Sequence, residues 1–249
     1  MIEFKNVNKW YGRYHALVDV SETVTQGEVV VVCGPSGSGK STLIRTLNRL
    51  ESIDSGHILL QGEDIHRPGL DVDRYRAGIG FVFQQFNLLR RLTVLENTLL
   101  GRLAHAPRWR SLAGWFAPDD VAKAEAALAR VGLGGVAGRR VDTLSGGQQQ
   151  RVAIARAVVQ APAVILADEP MASLDPALAH TVMGLLREIN SEDGITVVAT
   201  LHVLELAQAY GQRIIGRSRG RVVHDGPSAS LDATVSARIF GPGPGGATE

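Results

Sequence analysis

A glycine-rich stretch at residues 34–41, Gly-Pro-Ser-Gly-Ser-Gly-Lys-Ser, carries the clearest chemical signal in the sequence. It fits the phosphate-loop pattern G-x-x-x-x-G-K-[ST], and it lies between the apolar run Val29–Cys33 and a helix-like segment, as that pattern requires. Glycines let successive backbone N–H groups point into one anion-sized concavity at the positive end of a helix. We predict that the lysine contacts the β- and γ-phosphates of a nucleotide and that the following serine contacts Mg2+. The predicted nucleotide-binding residues of this stretch are Gly34, Pro35, Ser36, Gly37, Ser38, Gly39, Lys40, Ser41 and Thr42.

Two adjacent carboxylates, Asp168 and Glu169, end a second apolar run at residues 163–167. Because neighbouring side chains on a strand point in opposite directions, the two groups can serve different purposes. We predict that Asp168 supports Mg2+, usually through water, and that Glu169 faces the attacking water as a general base. An ordinary cap at a helix start is the alternative interpretation, and the phosphate loop upstream favours the catalytic one.

A second helix start in the sequence is also suited to an anion. In the segment Leu-Ser-Gly-Gly-Gln at residues 144–148, Ser145 is placed as an N-cap, and Gly146 and Gly147 leave the first backbone N–H groups open. We predict that Ser145, Gly146, Gly147 and Gln148 bind nucleotide. Two phosphate-binding helix starts in one chain suggest that one nucleotide is gripped from two sides.

Three single residues gain interest from their places beside these motifs. Gln84 follows the strand-like residues 80–83, where its amide can hydrogen-bond a metal-bound water. His202 follows the β-branched run 195–200, and α/β folds build their sites at the carboxyl ends of such strands. Tyr11, on an early loop, is placed either to stack on a nucleotide base or to pack on a sheet edge.

The elements that must position these residues alternate between strands and helices, which predicts an α/β fold. We predict a P-loop NTPase (RecA-like) core with an N-terminal antiparallel β subdomain and an inserted α-helical subdomain. The predicted boundaries are one domain over 1–240, with its α/β core at 1–85 and 161–225, its helical subdomain at about 86–160 with helices over 92–103 and 119–131, and a flexible tail at 241–249.

Composition limits the remaining possibilities. The 249 residues are 45% hydrophobic and carry a formal net charge of +1, so a sizeable core is expected and no overall field attracts nucleic acid. The single cysteine, Cys33, cannot form an internal disulfide, which is consistent with a reducing compartment. The N-terminus has no signal-peptide pattern and no run of 18 apolar residues occurs, so we expect membrane association to come through a partner.

Taken in chain order, these motifs resemble the ATP-binding subunit of an ABC transporter over nearly the whole chain. The Leu-Ser-Gly-Gly-Gln signature upstream of the acidic strand is the most specific part of the resemblance. The family implies a head-to-tail homodimer in which ATP lies between the phosphate loop of one copy and the signature of the other. Hydrolysis is then in-line attack by water, with Lys40, Mg2+ and the second copy's Ser145 and Gly147 stabilising charge.

The resemblance also implies roles for single residues and a cellular setting. Tyr11 stacks on adenine, and Gln84 senses both Mg2+ and the permease. Asp175 belongs to the loop that crosses the dimer, and His202 contacts the γ-phosphate. The implied partners are transmembrane permease subunits and, indirectly, a solute-binding protein, with the chain peripheral on the cytoplasmic face of the bacterial inner membrane and no nucleic-acid partner.

A finer resemblance is to the phosphonate importer ATPases. It is carried by Phe83–Leu88, by the tryptophans at 109 and 115, and by Asp168–Pro176. Many ABC ATPases have Ser-Ala where this chain has Ala-Ser at 172–173, and an acidic residue where it has Val203; the phosphonate subgroup shares the second departure. The resemblance implies import of phosphonate, phosphite or a phosphate ester, although the cargo is selected by other subunits.

Other interpretations of the same nucleotide chemistry stay open. They are an ABC ATPase for another small solute, an export or lipoprotein-releasing ABC ATPase, a soluble ABC-type ATPase in DNA repair or translation, and a small-molecule kinase. Soluble relatives generally carry two cassettes or long coiled-coil insertions, which this chain lacks. In a small-molecule kinase, the helix that begins at the signature would have no function.

One segment has no role in this interpretation. Residues 108–116 combine arginines with two tryptophans and a phenylalanine. Such a basic and aromatic segment is placed either to contact a membrane or a partner, or to pack within the helical insert.

Overall fold

The structure is a computed structural model that describes residues 2–105, 115–172 and 174–241. The chain divides into two compact units. The first comprises the chain up to Leu70 and from Arg187 onward, and the second comprises Asp71–Leu186. Residues 242–249 of the tail predicted at 241–249, and most of the basic and aromatic segment, lie outside the described residues. Trp115 is described, and 68% of its surface is exposed.

Strands and helices alternate along the described part of the chain. The strands are β1 (Ile2–Tyr11), β2 (Tyr14–Val24), β3 (Val29–Cys33), β4 (Ser55–Leu60), β5 (Glu63–Asp64), β6 (Ile79–Val82), β7 (Val164–Asp168), β8 (Thr196–Leu201), β9 (Arg213–Ser218) and β10 (Arg221–Pro227). The α-helices are α1 (Lys40–Leu47), α2 (Val72–Ala77), α3 (Val94–Leu99), α4 (Pro118–Arg130), α5 (Gly146–Val158), α6 (Pro176–Asp193), α7 (Leu204–Tyr210) and α8 (Ala233–Phe240). Short 3-10 helices cover Leu100–His105, Gly134–Val136, Val141–Thr143 and Ser228–Ser230.

The first unit contains the predicted N-terminal antiparallel sheet, in the order β2-β1-β4-β5. Its first strand buries Ile2 and Phe4 at a spacing of two residues, and an irregularity in the pairing between Phe4 and Val7 accompanies the burial of Val7 as well. A tight turn at Gly12 and Arg13 joins β1 to β2, so Tyr11 and Tyr14 face each other across the hairpin. The antiparallel subdomain is therefore confirmed, and its hairpin end carries an aromatic pair.

The first unit also contains four strands in the order β10-β9-β3-β8, with β3 parallel to both of its neighbours. Every residue of β3 and of β8 is buried, which explains why neither sequence alternates between apolar and polar residues as a half-buried strand does. Because Cys33 is in register with Leu201, Gly34 and His202 leave the sheet at the same edge. The phosphate loop and the histidine thus begin from neighbouring strand ends, as the α/β prediction expected.

In the second unit, β6 and β7 form a parallel pair, and helices α3, α4 and α5 pack against one another. The apolar periodicity after the signature is confirmed by α5, which buries residues 152–155 and Ala157. Arg102 and Asp120 form a buried ion pair, with 2.8 Å between Nε and Oδ1, that ties a 3-10 helix to α4. None of the helices in the described ranges is long and apolar enough to span a membrane.

The predicted helix over 92–103 is wrong in its second half. The α-helix ends at Leu99, and Leu100–His105 continues as a 3-10 helix. Gly101 packs directly on the end of α5: a Cβ built there would lie 2.3 Å from the carbonyl oxygen of Arg156. The change from α-helix to 3-10 helix therefore occurs where the backbone of Gly101 packs closely on α5. The spacing of apolar residues alone does not reveal this close packing.

Candidate functional site

The glycine-rich loop joins β3 directly to α1, as predicted. Gly39 is the N-cap of α1 and has a left-handed backbone, with φ of 92°. A Cβ on Gly34 would lie 2.3 Å from the carbonyl oxygen of Arg217, and one on Gly39 would lie 2.2 Å from that of Ala16. No side chain fits at either place without moving backbone, so the loop conformation depends on these two glycines.

Lys40 is the first residue of α1, and the loop curls around its ammonium group. The side chain is buried, and Nζ donates hydrogen bonds to the carbonyl oxygens of Gly34 (2.9 Å) and Pro35 (3.1 Å). Ser41 and Thr42 follow on the same helical turn. A buried cation, a helix N-terminus and backbone N–H groups converge at this loop, and this donor set fits a phosphate chain.

Two tyrosines on the β1–β2 hairpin are tied to the loop and to the start of α1. The Tyr14 hydroxyl donates a hydrogen bond to the carbonyl of Gly37, and Tyr11 hydrogen-bonds the side chain of Thr42. Partial burial raises the pKa of Tyr11 above its ordinary value. Both residues remain exposed, at 43% and 49% for Tyr11 and Tyr14. The predicted candidate Tyr11 is beside the phosphate loop, but it is the last residue of β1 and not part of a loop as predicted. The sequence analysis missed Tyr14, although its position across a two-residue turn from Tyr11 was an available signal.

The acidic pair in the second unit differs from its prediction. Asp168 is the last residue of β7 and is buried, but Glu169 lies beyond the strand with φ of 46°. The expectation that strand alternation separates the two carboxylates is therefore wrong, because the backbone turns into the left-handed region between them. The two side chains still differ in environment, since Asp168 is buried and Glu169 is half-buried.

Gln84 and Glu169 are brought together. Gln84 Nε2 donates to Glu169 Oε2 at 3.3 Å, although the two residues are 85 positions apart. Gln84 follows the end of β6, and β6 pairs with β7, so the carboxyl ends of both strands meet at one edge. A glutamine predicted to bond metal-bound water and a glutamate predicted to activate water thus share one polar cluster.

The signature forms the predicted N-cap. Ser145 Oγ accepts a hydrogen bond from the Gln148 N–H (3.3 Å), and Gln148 Oε1 accepts one from the Ser145 N–H (3.1 Å), which is a capping box. Ser145 and Gly146 are exposed, while Gly147 lies against Leu178, whose Cδ1 would be 2.9 Å from a Cβ there. The start of α5 is therefore ordered and open to an anion.

Asp175 caps a helix in this structure. Its Oδ1 accepts a hydrogen bond from the N–H of Leu178 at 3.0 Å, at the start of α6.

The predicted site residues are divided between the two units. The first unit contains the phosphate loop, Tyr11 and His202, and His202 is exposed at the end of β8. The second unit contains Gln84, the signature, the acidic pair and Asp175.

Arg156 is a functional candidate that sequence reasoning missed. Its guanidinium donates to the carbonyl oxygens of Phe86 (Nη2, 2.8 Å) and Asn87 (Nη1, 2.6 Å), the residues that follow Gln84 and Gln85. Both have positive φ, 55° and 49°, which costs side-chain-bearing residues energy. One arginine on the signature helix thus holds the strained loop that carries Gln84.

The donors present are suited to a nucleotide with Mg2+. The described residues contain no group of three or more His, Cys, Asp or Glu side chains able to hold a metal ion. Mg2+ carried on phosphates needs only one or two protein oxygens, and Ser41 in the first unit and Asp168 in the second each carry an oxygen of that kind.

Comparisons with known sequences agree on one family. A family model described as ABC transporter matches residues 17–172. The chain is 48% identical to the phosphonates import ATP-binding protein PhnC of Staphylococcus haemolyticus over 242 residues, which are 96% of this chain and 94% of that protein. It is 47% identical to the protein of that name from Staphylococcus aureus, with the same coverage.

Comparisons with solved structures agree on the fold. A dimeric structure of a bacterial ABC transporter cassette has a TM-score of 0.81 at 36% identity and covers 93% of this chain and 100% of that one. The ADP conformation of another ABC transporter cassette has a TM-score of 0.82 at 30% identity, covering 96% of this chain and 97% of that one. The P-loop NTPase prediction is thereby confirmed.

Replacing Arg156 by lysine tests the contact between the signature helix and the Gln84 loop. A lysine ammonium is a single nitrogen on a shorter side chain and does not reproduce the two-nitrogen geometry with which the guanidinium reaches both carbonyls. We therefore expect amide hydrogen exchange over residues 84–88 to accelerate about tenfold, while β7 is unchanged. The matched control is R151K, because Arg151 lies on the same helix but donates to Val131. Equal exchange over 84–88 in R156K and the parent would contradict the contact.

Proposed function

This chain is an ATPase of the ABC transporter family, and on that premise we propose that it powers import of a phosphonate or a related phosphorus oxyanion. One observation supports this choice of transported compound: the high identity to phosphonates import ATP-binding proteins extends over nearly the full length of both chains. Phosphite and phosphate esters share the tetrahedral phosphorus oxyanion and belong to the same proposal.

In this proposal the phosphate loop binds the phosphates of ATP and supplies positive charge next to them. Lys40 exchanges its bonds to the loop carbonyls for the β- and γ-phosphates of ATP, and the loop N–H groups surround them. Ser41 and Asp168 would hold Mg2+, Asp168 through water, and the Gln84 amide would hydrogen-bond a metal-bound water. When bound, Mg2+ would supply positive charge next to the phosphate oxygens. Tyr11 stacks on adenine.

Glu169 is the proposed general base for the attacking water. The amide of Gln84 donates to Glu169 Oε2, and the carboxylate accepts the proton of the attacking water in this proposal. His202, exposed at a strand end beside the loop, contacts the γ-phosphate in this proposal. These assignments separate charge stabilisation by the loop from water activation by the acidic segment.

Assembly follows the dimeric cassette to which this chain is similar. We place a second copy head to tail, so that its Ser145 and Gly147 complete the phosphate site and its Asp175 crosses the interface. The exposed helix start at Ser145 is suited to that contact. Permease subunits and a solute-binding protein complete the importer, with this chain peripheral on the cytoplasmic face of the membrane.

Replacing Glu169 by glutamine tests the general base. Without a proton acceptor, we expect kcat for ATP hydrolysis to fall by a factor of about 100 to 10,000, while ATP affinity stays near that of the parent. E188Q removes the same charge from an exposed position on α6 and should leave kcat unchanged. Hydrolysis by E169Q at the parent rate would rule out this role.

The cargo is tested by ATPase stimulation in the native complex. The tagged chain is purified from gently solubilised native membranes, its co-purifying proteins are identified, and ATPase is measured with methylphosphonate, phosphite, sulfate or an amino acid. We expect a multi-helix permease and stimulation by a phosphorus oxyanion only. Stimulation by another solute class would contradict the cargo, and recovery with ribosomes or DNA would contradict import.

A further inference from the structure

Arg217 is a buried cation directly behind the phosphate loop. Its side chain has no exposed surface, and it is among the largest fully buried side chains in the described part of the chain. It lies on β9, whose Gly216 is in register with Cys33 of β3, so Arg217 is beside the first residue of the loop. An arginine at a fully buried strand position is unusual, since arginines are almost never fully buried unless paired.

Arg217 contacts the phosphate loop through both its guanidinium and its own backbone. Nε donates to the carbonyl oxygen of Ser38 in the loop (3.3 Å), and Nη2 donates to that of Gly220, in the turn between β9 and β10 (2.8 Å). A Cβ on Gly39 would lie 3.1 Å from Nη2, and one on Gly34 would lie 2.3 Å from the Arg217 carbonyl oxygen. The arginine therefore lies against both glycines that set the loop conformation.

The charge of Arg217 is poorly compensated within the first unit. Its hydrogen-bond acceptors are backbone carbonyls, and Glu22 acts on it only through the electrostatic field. Burial lowers the pKa of Arg217 to about 10, which still leaves the group protonated at neutral pH. Within the described residues, Nη1 and the nearby Ser38 Oγ have no hydrogen-bond partner. A buried cation held this way is costly unless negative charge arrives close to it.

We propose that Arg217 is a positioning residue for phosphate binding, acting as a second buried cation behind the loop that strengthens its attraction for a polyphosphate. Its field crosses protein interior, where solvent screens charge far less than at the surface. Its bond to the Ser38 carbonyl keeps the cation against the loop. The inference rests on the proposed binding of ATP by this loop, and it adds to Lys40 a cation that the phosphate-loop pattern does not contain.

Two substitutions separate charge from hydrogen bonding. R217Q keeps donors but removes the charge, and R217K keeps the charge with a different donor geometry. We expect R217Q to weaken ATP binding about tenfold and ADP binding less, because ADP carries less charge, whereas R217K stays within about threefold of the parent for both. The matched control is R221Q, which removes an exposed charge four positions away and should not change either affinity.

The measurements are equilibrium dissociation constants for ATP and ADP on the full chain, with thermal unfolding to show that each variant is folded. A folded R217Q that binds ATP like the parent would overturn the inference. So would a folded R217K that loses ATP affinity tenfold, and this second result decides the question even where R217Q does not fold. A parent chain that binds no ATP would instead contradict the proposed function, and the inference would fall with it.

Discussion

The curling of the phosphate loop around Lys40 is the constraint on which the rest of the structure depends. The lysine ammonium is buried among loop carbonyls, and the loop reaches that shape because Gly34 and Gly39 approach neighbouring backbone more closely than any Cβ allows. The buried strand β3 fixes where the loop begins, and α1 fixes where it ends. Those two elements aim a helix N-terminus and a cation at one point in space.

The proposed activation of water depends on different features from phosphate binding. Glu169 occupies a left-handed backbone position just beyond β7, and Gln84 follows β6, its parallel neighbour. The loop after Gln84 contains two more residues with positive φ, and Arg156 on the signature helix holds their carbonyls. Strain at such positions persists only where surrounding contacts hold it. The acidic segment is therefore connected to the signature helix through Gln84, which bonds Glu169, and through the loop after Gln84, which Arg156 holds.

The sequence was most informative where structure is determined locally. The phosphate loop, the Ser145 cap and the buried strands follow from residues close together in the chain, because caps, turns and apolar runs involve few neighbours. Arg156 reaches a carbonyl 70 positions away, and the Tyr14 hydroxyl reaches the carbonyl of Gly37, 23 positions away, so neither contact has a local signature. The φ of Glu169 was missed for a related reason: nothing in the run Val164–Asp168 indicates where the strand ends.

The most direct test of the central claim, that one ATP is held by the loop of one copy and the signature of another, is the solution mass with ATP. E169Q is used so that bound ATP persists, and light scattering is compared with that of E169Q carrying S145E, which places a carboxylate at the helix start. We predict the mass of two chains for E169Q and of one chain for the double variant, with ATP bound by both. Dimers of both variants, or of neither, would contradict the claim.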